Sequence, residues 1–172
     1  MSEKLREAIR DVHDFPKPGI IFKDITPILQ QPTLFQLACD KLKATVDGEK
    51  IDKVVGIDAR GFLFATPIAL DLKAGFVPVR KKGKLPSETI ASAYELEYGT
   101  NTVEIHKDAI APGDRVLLID DLLATGGTAA AAVKLLQQLD ADLVCISFLI
   151  ELSFLNGREK LSGNNLQSIL TY

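Results

Sequence analysis

From Lys53 onward, short apolar runs alternate with stretches of helical period: VVGIDA, then Gly61 to Leu72, then FVPVRK. The pattern resumes with RVLLIDD, a glycine-containing loop, an alanine-rich helix from about Thr128 to Leu139, and LVCISFLIEL. Strands that are apolar throughout bury both faces, and helices between them supply the cover, so the fold class is α/β with a mainly parallel central sheet flanked by helices. Ahead of this core, Leu5, Ile9 and Val12 share one face of a helix that Ser2 would cap and that would run to about Val12. Phe15-Pro16-Lys17-Pro18-Gly19 ends it; an extended segment Ile20 to Ile25 follows, then Thr26-Pro27 as cap and first helical position, then a helix from Thr33 to about Val46. Lys81 to Tyr98 fits no element: it is polar, holds Gly83 and Pro86, and reads as a long excursion of the kind that forms a lid or stays disordered. No repeat, low-complexity tract or linker divides the chain, so residues 1–172 are expected to form a single domain.

Composition narrows the function. A chain of 172 residues that is 47% hydrophobic and 25% charged has enough apolar material for one core without staples. A net charge of -3 excludes the broad basic field that a nucleic-acid binder needs, so any polyanionic ligand must meet locally placed cations. Cys39 and Cys145 lie in apolar stretches without metal-type or paired spacing and read as buried free thiols of a reducing compartment. The apolar runs are too short to span a bilayer and the first ten residues alternate in charge, so a cytoplasmic location without membrane contact is expected.

The chemistry concentrates in VLLIDDLLATGGT, Val116 to Thr128. Four apolar strand residues lead to the adjacent carboxylates Asp120 and Asp121, and then to a loop, Ala124-Thr125-Gly126-Gly127-Thr128, that opens a helix. In a parallel sheet such a loop lies at the carboxyl edge, where ligands bind, and its backbone N–H groups and threonine hydroxyls can cradle a phosphate monoester. The spacing is neither a Walker loop nor a dinucleotide fingerprint. Carboxylates beside a phosphate cradle suit sugar hydroxyls and a positive charge developing at an anomeric carbon. A capped strand-to-helix turn would explain Thr and Gly but gives no reason for the adjacent aspartates.

This segment resembles the phosphoribosyl pyrophosphate motif of the type I phosphoribosyltransferases. Together with FPKPGIIFKDITP, DARGFLF, VRKKGKLP and ASAYELEYG it is similar to the adenine phosphoribosyltransferases from residue 15 onward, with Asp58 where many bacterial relatives have Glu. The resemblance implies transfer of the 5-phosphoribosyl group from phosphoribosyl pyrophosphate to adenine, yielding AMP and pyrophosphate. It implies the type I fold with an N-terminal hood over about residues 1–30, a flexible lid over about 81–98, and a homodimer. It assigns pyrophosphate to the turn Asp58-Ala59-Arg60 and to the basic run Arg80, Lys81 and Lys84, with Arg80 or a neighbour serving the adjacent subunit's site; Arg60 could equally pair with Asp58 or Asp71. Ile20, Ile21, Phe22 and Lys23 become the adenine hood, where backbone groups meet the base edge and Phe22 stacks on the purine. Glu97 is the carboxylate chosen to steer the base or shuttle its proton, beside Arg60, Asp120 and Asp121 as catalytic groups; the alternative leaves Glu95 and Glu97 on the exposed face of a lid hairpin. Mg²⁺ is expected, bound chiefly through the substrate's pyrophosphate and ribose hydroxyls rather than in a protein cage.

His13 and His106 have no partner constellation and read as bystanders, His106 as an exposed strand residue. Two other functions compete. The Asp pair and TGGT specify the sugar and not the base, so a phosphoribosyltransferase for another base fits that motif, and the hood and lid segments favour adenine. A phosphoribosyl pyrophosphate-sensing regulator would normally add a DNA-reading domain, and the fourteen residues before Phe15 are too few for a helix-turn-helix.

Overall fold

The computed structural model describes residues 2–95 and 99–172, and the chain packs as two compact units, residues 1–41 and 42–172. The division falls beyond the expected hood boundary near residue 30.

The first unit begins with α1 (Ser2–Ala8), shorter than its apolar spacing suggests. Arg10–His13 is not helical; it forms β1, antiparallel to β2 (Ile21–Asp24), with Val12 opposite Phe22. Pairing with a later strand thus overrides a local helical period. Between them the chain turns at Asp14, whose carboxylate accepts the Gly19 N–H at 2.7 Å. Phe15 and Phe22 meet edge to face with ring centroids 5.2 Å apart. α2 (Thr26–Gln30) follows, with Ile25 rather than Thr26 at the N-cap; the capping bond comes from Asp24, which accepts the Thr26 N–H at 2.9 Å. α3 (Pro32–Lys43) ends the segment, and a 3₁₀ turn at Ala44–Val46 replaces the expected last helical turn.

The second unit is built on a seven-stranded sheet. Its strands are β3 (Lys53–Ile57), β4 (Gly75–Lys81), β5 (Thr89–Glu95), β6 (Thr100–His106), β7 (Arg115–Leu123), β8 (Asp142–Glu151) and β9 (Leu166–Thr171), in spatial order β5-β6-β4-β3-β7-β8-β9. The five from β4 to β9 in that order run parallel, and β6 and β5 add an antiparallel edge. α4 (Gly61–Leu72) and α5 (Gly127–Gln138) are the crossover helices. Because side chains alternate across a strand, Val55, Ile57, Val77, Val79, Val116 and Leu118 point toward α5 and join its Ala132, Leu135 and Leu136 in one buried cluster. Gly56 lies on the other face, where a Cβ would come within 2.9 Å of Ala65 on α4. Thr89–Glu95, expected as part of an irregular excursion, pairs with β6 along its whole length. No helix among the described residues is long and apolar enough to cross a membrane.

At the end of β8, Glu151 is buried and holds the neighbouring segment by charge. Arg158 donates to both of its carboxylate oxygens, at 3.0 and 2.6 Å, and the Ser168 hydroxyl on β9 donates at 2.6 Å. The Arg158 hydrogen bonds lower the Glu151 carboxyl below its ordinary value of 4.5, against an opposing push from burial. Stability from this pair is present above pH 4.5 and is lost as pH falls through the depressed folded value. Urea titrations of Glu151→Gln and the parent chain should therefore differ most near neutrality and converge in acid; a gap that stays constant with pH would show that the ion pair does not stabilise the fold.

Candidate active site

Parallel order gathers the strand ends that matter. β3 and β7 are neighbours, so the turn after β3, Asp58-Ala59-Arg60, and the loop after β7 open on the same edge of the sheet. Ile57, Asp58, Ala59, Arg60, Lys81, Asp120, Asp121 and Thr128 line one cavity there, completed by Tyr94 and Asn101. An adjoining cleft is lined by Asp120 and by Leu122 through Ala129, and so contains the whole loop Ala124 to Thr128.

The loop is shaped by its backbone. β7 continues two residues past the carboxylates to Leu123, and Gly126 then takes a left-handed φ of 77° as the N-cap of α5, which begins at Gly127 rather than Thr128. That conformation is open to glycine at little cost, and it points the first N–H groups of α5 toward the cleft. The loop's position therefore follows from strand, glycine and helix rather than from its threonines.

The two aspartates differ. Asp121 is 4% exposed, and its Oδ2 receives Arg60 Nε at 2.9 Å. Asp120 faces the cavity, and one of its oxygens accepts the Asp121 backbone N–H at 2.9 Å. The start of α4 presses on it: a Cβ at Gly61 would stand 2.9 Å from Asp120 Oδ1. Burial first, and then the neighbouring Asp121 carboxylate, hold Asp120 well above the ordinary carboxylate range. Burial also raises Asp121, with Arg60 opposing it.

Arg60 is paired with Asp121, a partner not considered from sequence, and the two that were considered, Asp58 and Asp71, have other cations beside them. Arg80 takes Asp58 at 3.1 Å, and Lys43 takes Asp71 at 2.6 Å. Asp58 and Asp71 were the structural alternatives weighed from sequence for Arg60; the β3–β7 adjacency adds Asp121. Of the basic run, Lys81 lines the cavity, while the Lys84 carbonyl accepts from Arg80 Nη1 at 3.2 Å. Ile20, Ile21, Phe22 and Lys23 belong to the first unit, on or beside β2, with Ile20 and Ile21 exposed and Lys23 paired to Asp11 at 2.7 Å. Glu97 lies outside the described residues. His106 ends β6 half-buried and accepts the Ser87 N–H at 3.4 Å. Tyr94 and Asn101 were not assigned from sequence. They sit opposite each other in the β5–β6 register, and a lone Tyr and Asn in a polar stretch give no signal of that.

With this geometry in view, comparison with known proteins is decisive. The family model of the phosphoribosyl transferase domain matches residues 25–160. The adenine phosphoribosyltransferase of Halothermothrix orenii is 56% identical over 167 residues, which cover 97% of this chain and 98% of that one. The chain belongs to the adenine phosphoribosyltransferases. Among solved adenine phosphoribosyltransferases, that of Thermoanaerobacter pseudethanolicus superposes with a TM-score of 0.97 at 49% identity, covering all of both chains. The Saccharomyces cerevisiae adenine phosphoribosyltransferase, solved with an iminoaltritol bisphosphate and adenine, gives a TM-score of 0.93 at 45% identity and 98% coverage of each chain. The fold is the type I phosphoribosyltransferase domain, and the chain is an enzyme of adenine salvage.

The raised Asp120 carboxyl carries a sign. A carboxyl whose folded pKa lies above its unfolded value subtracts stability as pH rises past 3.8. Asp120→Asn keeps the acceptor for the Asp121 N–H and removes the charge, so it should raise Tm at pH 7, with the gain vanishing below pH 3.8. A lower Tm at neutral pH would show that Asp120 is not strained.

Proposed function

We propose that this adenine phosphoribosyltransferase binds the 5-phosphate of phosphoribosyl pyrophosphate on Ala124 to Thr128, the ribose hydroxyls at Asp120 and Asp121, and the pyrophosphate at Asp58-Ala59-Arg60 with Lys81. The observation that carries this is the convergence of all of these groups on one cavity and its adjoining cleft. A distance of one loop separates the phosphate cradle from the carboxylates, as a ribose phosphate requires. When the bond from the anomeric carbon to pyrophosphate lengthens, positive charge grows on the ring, and the carboxylates stabilise it through the hydroxyls. Arg60 holds Asp121 in place and presents its guanidinium to the leaving group. Arg80 reaches the same region through Asp58; its expected service to the adjacent subunit's site remains part of the proposal.

Adenine is read by Ile20 to Lys23, where an edge strand offers backbone C=O and N–H to the base and Phe22 offers a face. Adenine presents an amino donor and a ring-nitrogen acceptor, and 6-oxopurines reverse both, so the wrong base leaves buried groups unpaired. Glu97 steers the base or takes its proton. The segment 81–98 closes over the reacting centre and excludes water. Its described part is tied down, with Gly83 N–H on the buried Glu104 at 2.9 Å and β5 on β6, so closure engages the β5–β6 ribbon as a unit.

Mg²⁺ belongs to the same reading. No cluster of three His, Cys, Asp or Glu suited to a metal occurs among the described residues, and in the cavity Asp58 and Asp121 are already paired to arginines. That donor set suits a cation held chiefly by the substrate's own oxygens, with Asp120 the nearest protein carboxylate. Bound there, it would neutralise the departing pyrophosphate. Cytoplasmic location is supported by the two buried cysteines, Cys39 and Cys145, and a homodimer by Leu63 and Leu70, exposed along α4. Light scattering showing a monomer at micromolar concentration would remove the latter.

A panel of purines with phosphoribosyl pyrophosphate and Mg²⁺, followed by nucleotide formation, tests the whole. Adenine should be converted far faster than hypoxanthine, guanine or xanthine, and comparable rates with any 6-oxopurine would sink the base assignment. In the same assay Asp120→Asn should lose roughly 10²- to 10³-fold in kcat. Trypsin cleavage after Lys82 or Lys84 should slow when phosphoribosyl pyrophosphate and Mg²⁺ are added; equal rates would remove the lid.

A further inference from the structure

Between β8 and β9 the chain crosses the phosphate loop as a strap, residues 152–161, made of two 3₁₀ turns at Ser153–Leu155 and Gly157–Leu161. It touches the last residue of β7 and then the loop itself. The Leu152 N–H donates to the Leu123 carbonyl at 2.9 Å. Further along, Gly157 lies backbone against backbone on residues 124–126. A Cβ at Gly157 would overlap the Ala124 carbonyl oxygen and stand 2.9 Å from the Gly126 nitrogen, and a Cβ at Gly126 would overlap the Gly157 carbonyl and stand 3.1 Å from its Cα. Every atom in this contact belongs to main chain, so no side-chain rotation can relieve it. Gly157 is absent from the left-handed residues of the chain, so space alone, and not backbone conformation, requires glycine there.

The strap is itself anchored on both sides of that contact. Asn156 turns the chain with a left-handed φ of 53°, a conformation that Asn tolerates. Next to Gly157, Arg158 is forked onto the buried Glu151 at 3.0 and 2.6 Å and donates to the Leu166 carbonyl at 3.2 Å. At the other end, the Ser153 N–H and hydroxyl both donate to the Tyr172 carbonyl, at 2.9 and 2.7 Å. The contact is thus fixed from the sheet outward.

We propose that Gly157 is a positioning residue for phosphate binding: held by the Glu151–Arg158 pair, its backbone backs the loop and sets the direction in which the Ala124 to Thr128 N–H groups point. Neither Gly157 nor Arg158 lines the phosphate cleft, so they act through the loop. The proposal rests on the reading of Ala124 to Thr128 as the phosphate loop, and its test separates the two.

Full-length Gly157→Ala, Glu151→Gln and, as a control, Gly163→Ala would be titrated with AMP and with adenosine, and assayed for KM and kcat. Gly163 has a left-handed φ of 86° and open space around it, so its substitution strains the same connection without touching the loop. Gly157→Ala should weaken AMP binding and raise KM for phosphoribosyl pyrophosphate by about tenfold or more, because a displacement well under 1 Å misaligns several N–H groups at once. Adenosine, which lacks the phosphate, should bind within about twofold of the parent on the same geometric grounds. Glu151→Gln should shift AMP in the same direction by a smaller factor, and it keeps the test open if Gly157→Ala does not fold. Equal losses for AMP and adenosine, unchanged AMP binding in both variants, or a matching AMP loss in Gly163→Ala would each overturn the proposal. The loop reading is judged by the double variant Thr125→Ala, Thr128→Ala: unchanged AMP binding there overturns that reading, whereas weakened binding there with an unaffected Gly157→Ala overturns this one alone.

Discussion

The site depends on two adjacent carboxylates, Asp121 buried and Asp120 half-buried against the cavity, near the end of a largely apolar strand. Loss of water raises both Asp120 and Asp121, and the Asp121 carboxylate raises Asp120 further. What makes the arrangement tenable is Arg60, delivered at 2.9 Å from the neighbouring strand's turn. That delivery requires β3 and β7 to be adjacent and parallel, with their turns on one edge. Given this order, the glycine-shaped loop after β7 and the cationic turn after β3 necessarily face one cavity. The strained carboxylate is therefore a product of topology, and the stability it costs is recovered elsewhere, chiefly in the apolar layer between the sheet and α5.

Much of this was legible in the sequence, and the misses have physical causes. α4 occupies the residues its apolar pattern marks, Gly61 to Leu72, with Phe64, Ala65, Ile68 and Ala69 forming its buried stripe. β3, β7 and β8 are legible because consecutive residues are buried, and β4 because Val77 and Val79 alternate into the core. The helix expected as far as Val12 stops at Ala8 because Arg10–His13 finds a partner strand later in the chain, which no local period reveals. β5 was hidden by its position: at a sheet edge only alternate residues are enclosed, here Ile90, Ser92 and Tyr94, and the serine breaks the apolar alternation. The site followed the same rule. Residues carried by the strand-loop-helix unit, Asp120 to Thr128, could be named from their spacing, whereas Tyr94, Asn101 and the true partner of Arg60 depend on which strands are neighbours. Gly157 left no trace, since its requirement is for space beside another segment's backbone.

In the site as proposed, the charges are placed so that an acidic chain could hold a polyanion. With a net charge of -3 it has no general field to draw phosphate in, so cations must already stand in place. Arg60 lines the cavity and Arg80 pairs with the cavity residue Asp58, so each is kept in position by an aspartate. An arginine held by one carboxylate presents its planar fork in a fixed direction, and an incoming pyrophosphate can share that fork without first ordering a flexible side chain. The aspartates thus lower the net charge of the empty site while removing the entropy cost of arranging its donors. Asp120, which has no ion pair of its own among the described residues, is the group left to answer positive charge. If the site works as proposed, a preformed set of arginines held by aspartates, with Asp120 beside them, suits a substrate whose leaving group gains negative charge as its sugar becomes positive.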